Sequence, residues 1–321
     1  MQMPNGEMPL KDLYSYQGVN PKPEDFDAFW NDSLHEIDGY GLSFELKKSR
    51  FQVPNAECFD LYFSSMNNAR IHAKYVKPSS AGAEKHPIVL QFHGYTANAG
   101  SWANLLKWAA CGFSVLAMDV RGQGGESQDN SCNLGTTYCG HIIRGLDGGP
   151  KNLFYRNVFL DTVVLARIAM SLPEVDVNRL FTFGASQGGA LSVVCGALVP
   201  QIRKVVTLYP FLADYKRILQ IDYNGKAYSE LIYYFRQFDP SHSNEIQIFT
   251  KLGYIDIQFL ASRIQGDVLF GCGLADTNCP PSSQFAVYNK ISSSKQLLIY
   301  PDFSHEEIAP FGDQVIEFFL N

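Results

Sequence analysis

The chain has 321 residues, 46 % apolar and 18 % charged, enough to bury a large core and too apolar for a disordered segment. A net charge of −6 without long like-charge runs argues against a nucleic-acid partner, which needs a basic face. No apolar run approaches a membrane span, and Met1–Leu10 lacks the basic start and apolar block of a signal peptide, so no membrane partner and no export are expected.

Seven cysteines, an odd number scattered along the chain, read as free buried thiols in a reducing compartment. Cys132/Cys139 and Cys272/Cys279 each enclose six residues, which is not the spacing of a zinc site, so no metal is expected.

From about Glu24 to Asp38 the pattern is helical, with Phe26, Phe29, Trp30, Leu34 and Ile37 on one face. Between Leu42 and Pro78 it turns to a period of two, as in Arg70 to Val76, which predicts antiparallel edge strands ahead of a parallel sheet. Strands are then expected at Pro87–Phe92, Phe113–Asp119, Arg179–Phe183, Lys204–Tyr209, Asp267–Gly271 and Gln296–Tyr300. Helices are expected at Trp102–Ala110, at Asn157–Leu172, from Gly189 onward, and at Glu306–Leu320. Such alternation implies an α/β protein with a mostly parallel, doubly wound sheet.

The chain reads as one domain, 1–321, with a helix and edge-strand extension over about 1–80. Two segments interrupt the alternation. Residues of about 122–155, rich in Gly, Asn and Cys, form a stretch long enough to suggest function or an interface. Residues of about 211–263 are mostly helical and aromatic, and read either as a cap over the site or as extra packing helices.

Gly184-Ala185-Ser186-Gln187-Gly188 fits G-x-S-x-G, with an apolar strand before it and a small-residue helix after it. That context marks a nucleophile elbow, where a tight turn lifts the serine hydroxyl above the sheet edge. Gly184 and Gly188 are required because a Cβ there would collide with the neighbouring strand and helix. A serine needs a base, and in this arrangement the order along the chain is Ser, acid, His. His305, just past the last strand, is the expected base; five histidines precede Ser186, and His242 follows no strand. Asp276, past the strand that begins at Asp267, is the expected acid, ahead of Asp267 and Asp302.

Two backbone N–H groups must meet the oxyanion: that of Gln187 and one from His93-Gly94-Tyr95, for which Tyr95 is chosen. His93 is expected to brace that loop, and the Tyr95 ring to wall the acyl pocket. Arg121-Gly122-Gln123-Gly124 matches neither nucleotide-binding glycine pattern, so no cofactor is expected. Arg121 is expected to pair with Glu306 across one sheet edge.

Together these motifs resemble carbohydrate esterase family 7, the acetyl xylan esterases and cephalosporin C deacetylases. Arg121-Gly122-Gln123 is similar to its RGQ, Gly184 to Gly188 to its GxSQG, and His305-Glu306 to its HE. The resemblance runs from Met8-Pro9-Leu10 and Asp25 to Trp30 through Tyr209-Pro210-Phe211 to Gly273-Leu274-Ala275-Asp276 with Pro280-Pro281. It implies an α/β-hydrolase fold, a Ser186–Asp276–His305 triad, and Tyr95 and Gln187 as oxyanion donors. It further implies a substrate pocket at Tyr95 and Pro210, a cytoplasmic enzyme without cofactor, and a ring-like homohexamer with 122–155 at its interface. Small acetylated sugars, including acetylated xylo-oligosaccharides, and cephalosporin C-type esters are the expected substrates. The rival readings are a broad carboxylesterase or peptidase on the same fold, and a non-catalytic binding protein. Cys132, Cys139 and Gly145 to Gly149 depart from the family pattern.

Overall fold

Nine strands make one sheet, in the order β1-β2-β3-β5-β4-β6-β7-β8-β9. They are β1 (Phe44–Lys48), β2 (Ala56–Ser65), β3 (Ala69–Pro78), β4 (His86–Phe92), β5 (Ser114–Met118), β6 (Val175–Ala185), β7 (Ile202–Leu208), β8 (Asp267–Gly273) and β9 (Lys295–Tyr300). The helices are α1 (Leu10–Leu13), α2 (Phe26–Asp38), α3 (Trp102–Ala110), α4 (Phe154–Ser171), α5 (Gln187–Leu198), α6 (Tyr215–Gln220), α7 (Ser229–Phe238), α8 (Glu245–Gly253), α9 (Pro281–Tyr288) and α10 (Ala309–Leu320). This computed structural model describes residues 4, 6–79, 85–132, 141–221 and 227–321.

Strands β1, β2, β3 and β5 pair antiparallel, and β5-β4-β6-β7-β8-β9 pair parallel. The burial explains the difference. All five residues of β5 are buried, as expected of a strand covered on both faces, whereas four of the five in β1 are exposed at the sheet edge. One core lies on the face covered by α2, α4 and α5, with Trp30, Phe159 and Leu191 among its residues. The other lies under α3 and α10, built on Trp108, Phe181, Phe311 and Phe319. A parallel sheet covered on both faces, crossed by a strand–turn–helix at β6–α5, is the α/β-hydrolase architecture.

Register places the site. Phe92 pairs with Gly184, Ala185 with Leu208, and Leu208 with Gly271. The carboxyl ends of four adjacent parallel strands therefore lie level, and the loops leaving them converge, as in open α/β sheets generally.

Both interrupting segments reach that edge. Lys251 Nζ on α8 donates to the carbonyls of Leu146 and Gly148, each at 2.7 Å, so the two segments are bonded to each other. The helical segment also packs on the extension: Trp30 Nε1 donates to the Tyr254 carbonyl, and the amides of Val19 and Asn20 donate to Asp214. It thus provides packing helices at α6 and α8, while α7 approaches the site.

Three expectations require correction. Helix α4 starts at Phe154, three residues early, and α10 starts at Ala309 rather than Glu306. At α10, Pro310 stands in the first helical turn, where its missing N–H costs nothing. Of the described cysteines, Cys58, Cys195, Cys272 and Cys279 are buried, but Cys111 is half-buried and Cys132 exposed, since the latter lies on the surface of the insertion. Cys139 lies outside the described residues.

Candidate active site

Ser186 stands between β6 and α5 with φ 57° and ψ −121°, a conformation L-residues rarely adopt. Its neighbours hold that strain. Ser186 N donates to Leu208 O at 3.0 Å, and its carbonyl accepts from Ala190 N and Phe211 N at 3.0 and 3.1 Å. A Cβ on Gly184 would fall 2.3 Å from the Gly188 backbone, and one on Gly188 would fall 2.0 Å from Phe92 O. The turn is therefore tight enough that helix α5 abuts both its own strand and β4.

The structure brings Ser186, His305 and Asp276 together. His305 Nε2 lies 2.9 Å from Ser186 Oγ, and Nδ1 lies 2.8 Å from Asp276 Oδ2. Asp276 is fully buried, and its Oδ1 accepts from the amides of Asn278 and Cys279 at 2.7 and 2.8 Å. One oxygen is thus occupied by backbone, and the other faces the imidazole. With an acceptor at Nδ1, the neutral ring carries its proton there and leaves Nε2 to accept from the serine. The Tyr209 ring packs on His305 at 4.5 Å, and its hydroxyl donates to Glu306 O. The Cys279 thiol lies beside Ser186, and burial pushes its pKa far up, so it remains neutral.

The loop carrying Tyr95 lies against this turn. His93 braces it: Nδ1 meets Gly94 O at 2.7 Å, and Nε2 accepts from Val120 N at 2.9 Å. Burial lowers the His93 pKa, in keeping with a neutral ring. Gln187 opens α5, where the first N–H groups have no intrahelical acceptor. Its side chain is buried and donates to His93 O at 3.4 Å, joining the elbow to the Tyr95 loop. Gln123 sits between the two: its Oε1 accepts from Thr96 N at 2.9 Å, and its amide meets that of Gln187. Pro210 is buried in the turn after β7, between Tyr209, whose ring touches His305, and Phe211, whose ring is 5.7 Å from that of Tyr95.

Arg121 does not pair with Glu306. It is fully buried, and its Nε and Nη2 donate to the two oxygens of Asp161 at 2.7 and 2.6 Å. A guanidinium without solvent needs a planar, bidentate partner, and Asp161 on α4 provides one. Asp129 and the Met66 carbonyl complete its surroundings. Glu306 instead accepts from Ser304 N at 3.0 Å and closes its own turn. Gly122, with φ 62°, makes the turn between the buried Arg121 and Gln123.

Four further groups were not read from the sequence. Tyr155 donates to Gln187 Oε1 at 2.9 Å from α4. Glu230 on α7 is buried, and its Oε1 accepts from Ile142 N at 3.1 Å. Burial pushes the Glu230 carboxyl up to about 7, against the opposing pull of the amides at 141–143 and the Tyr95 hydroxyl. His141 Nδ1 lies 3.0 Å from that hydroxyl. Asp161 is the fourth. None carries a local motif; only the fold brings them to the site. Among the described residues, no cluster of three His, Cys, Asp or Glu is placed to hold a metal.

The acetyl xylan esterase (AXE1) family model matches residues 3–321. The chain belongs to this family. It is 53 % identical to acetyl xylan esterase 1 from Thermoanaerobacterium sp. JW/SL YS485, with a TM-score of 0.96 over 98 % of each chain. It is 30 % identical to the acetyl xylan esterase from Paenibacillus sp. R4, with a TM-score of 0.92 over 98 % of this chain and 99 % of that one. It is also 30 % identical over 297 residues to the acetyl esterase Axe7A of Xylanibacter ruminicola, covering 88 % of this chain. The match spans 63 % of the length of that relative.

Proposed function

We propose that this family member is a serine esterase that removes acetyl groups from acetylated xylo-oligosaccharides and other small acetylated alcohols. The observation that carries this reading is the relay Ser186 Oγ, His305 Nε2 and Nδ1, Asp276 Oδ2, with links of 2.9 and 2.8 Å. Family membership supports the acetyl and sugar parts of the reading.

Ser186 Oγ attacks the acetyl carbonyl while its proton passes to His305 Nε2. Asp276, its other oxygen held by two amides, keeps the ring oriented and stabilises the imidazolium. The carbonyl oxygen becomes an oxyanion between the main-chain N–H groups of Tyr95 and Gln187. As the tetrahedral centre collapses, the C–O bond to the sugar breaks and that oxygen takes the proton from Nε2. Water then gives a proton to Nε2 and attacks the acetyl-serine. Acetate leaves, and Ser186 regains its proton. The Tyr209 ring packs on His305 and the Cys279 thiol lies beside Ser186, and a Tyr95 ring walling the acyl pocket would favour an acetyl group over longer acyl chains.

Cephalosporin C-type esters, a cytoplasmic location and a homohexamer belong to the same reading. The family resemblance of the RGQ, GxSQG and HE motifs supports them. Sedimentation tests the hexamer and cell fractionation the location.

The test of substrate class uses defined acetylated xylo-oligosaccharides of rising length, cephalosporin C, and a dipeptidyl amide. Release of acetate from the sugars and cephalosporin C, with no amide cleavage and with rates falling as the oligosaccharides lengthen, is expected. Faster amide cleavage than deacetylation would overturn the reading in favour of a peptidase.

A further inference from the structure

The buried carboxylate of Glu230 lies at the meeting point of three segments far apart in sequence. It comes from α7. Its Oε1 accepts from the backbone of Ile142, and the amides of His141 and Ile143 surround it. The hydroxyl of Tyr95, on the loop after β4, lies close to it. On its other side that hydroxyl meets His141 Nδ1 at 3.0 Å. The geometry points to Glu230 as a positioning residue: by holding the backbone at Ile142 it seats His141, whose ring meets the Tyr95 phenol, and so it fixes the loop whose main-chain N–H receives the oxyanion.

The chemistry of the donors supports this role. The Oε1 atom of Glu230 accepts the Ile142 N–H, and among the described residues its buried Oε2 has no hydrogen-bond partner. At 1 % exposure, water does not replace a bond that is lost. The Tyr95 ring is pinned as well, edge-on to the His141 ring at 5.2 Å and against Phe211 at 5.7 Å. His141 packs in turn on Phe154 at 4.9 Å. With ring and hydroxyl both held, the backbone of Tyr95 has little freedom to swing. The opposite side of the oxyanion site is held by Tyr155 through Gln187. Beyond the Gln123–Gln187 pair that links the two loops, the Tyr95 side chain has a tether that runs through α7 and the insertion. This gives the two interrupting segments a part in catalysis without contact with the reacting atoms.

The inference rests on the serine esterase reading, and the experiment separates the two. Glu230→Gln, Tyr95→Phe, the double variant and Ser186→Ala are compared on p-nitrophenyl acetate and butyrate, with melting curves alongside. Displacement of one donor predicts a fall in kcat of about tenfold in each of the first two variants, short of the 10²–10³-fold loss on deleting a donor. KM for the acetate should hold, and the preference for acetate over butyrate should narrow, because the ring that walls the pocket is released. The double variant should be no slower than the slower single, as befits one shared pathway. Should Glu230→Gln fail to fold, Tyr95→Phe, which removes a single oxygen, carries the same expectations alone. Unchanged kcat and acyl preference in folded variants would overturn the inference, as would losses that multiply in the double variant. Retained esterase activity in Ser186→Ala would instead overturn the underlying reading.

Discussion

The side-chain amides of Gln123 and Gln187 bond to each other in both directions, Nε2 to Oε1 at 2.8 Å and 3.0 Å. One residue follows Arg121 and Gly122 in the turn after β5; the other follows the nucleophile. Gln123 Oε1 also accepts from Thr96 N, next to Tyr95. A single amide thus spans the two loops from which the oxyanion donors come, which gives a physical reason for glutamine in both motifs.

Gln123→Ala should therefore lower kcat on acetyl esters by roughly tenfold, because it loosens both loops without touching the reacting atoms. Steady-state kinetics on p-nitrophenyl acetate check this. Gln123→Glu should be worse than Ala, since a carboxylate cannot donate to Gln187 Oε1.

Arg121→Ala leaves the fully buried Asp161 without its partner and should cost about 3–5 kcal/mol of stability. Glu306→Gln, at an exposed turn, should change stability by less than about 0.5 kcal/mol. Denaturant titration separates the two. Comparable losses would restore the pairing between Arg121 and Glu306 that the sequence suggested.

That pairing shows where sequence reading stops. Arg121 and Glu306 both follow parallel strands, so opposite charges at one edge made a reasonable pair. The actual partner, Asp161, lies on the buried face of α4 in an apolar stretch and carries no motif. The elbow was legible because its constraint is local: Gly184 and Gly188 must lack a Cβ within four residues of each other. Ser186, Asp276 and His305 were legible because chain order and strand ends place them. Glu230 and His141 were not, since their meeting depends on how α7 and the insertion pack. The sheet was read well because its strands are continuous apolar runs, and its helix ends less well because capping here is weak. Neither α4 nor α10 has a side-chain cap.

Glycine substitutions divide sharply. Gly188→Ala should abolish activity and destabilise the fold by about 1–3 kcal/mol, because its Cβ meets the fixed backbone of β4 at 2.0 Å. Gly312→Ala in α10, where a Cβ meets nothing within 4 Å, should stabilise by about 0.5–1 kcal/mol. Chemical denaturation of both variants checks the contrast.

His72 gives a pH dependence of stability. It is buried between Asp119 at 2.7 Å and Asp60 at 3.1 Å. Burial alone would lower its pKa, but the bonds to these carboxylates outweigh that and raise it above 6.5. The charged ring therefore stabilises the fold fully below its unfolded value, and this contribution is lost as pH rises through the raised one. Asp119 runs the other way. Burial would raise it, yet His72 and the amides of Glu126 and Ala99 hold it below the usual range, so its contribution is lost in acid. Melting temperature should fall as pH rises above about 6.5 in the parent, and the slope should flatten in His72→Gln. An equal slope in both would refute the assignment.

The central claim is a covalent acetyl group on Ser186. Mass spectrometry of enzyme acid-quenched during turnover of an acetyl ester, followed by peptide mapping, tests it directly. One acetyl group on the peptide carrying Ser186, absent from Ser186→Ala along with about 10⁶-fold of kcat, is the predicted result. Acetyl on another residue, or Ser186→Ala turning over at the parent rate, would contradict it.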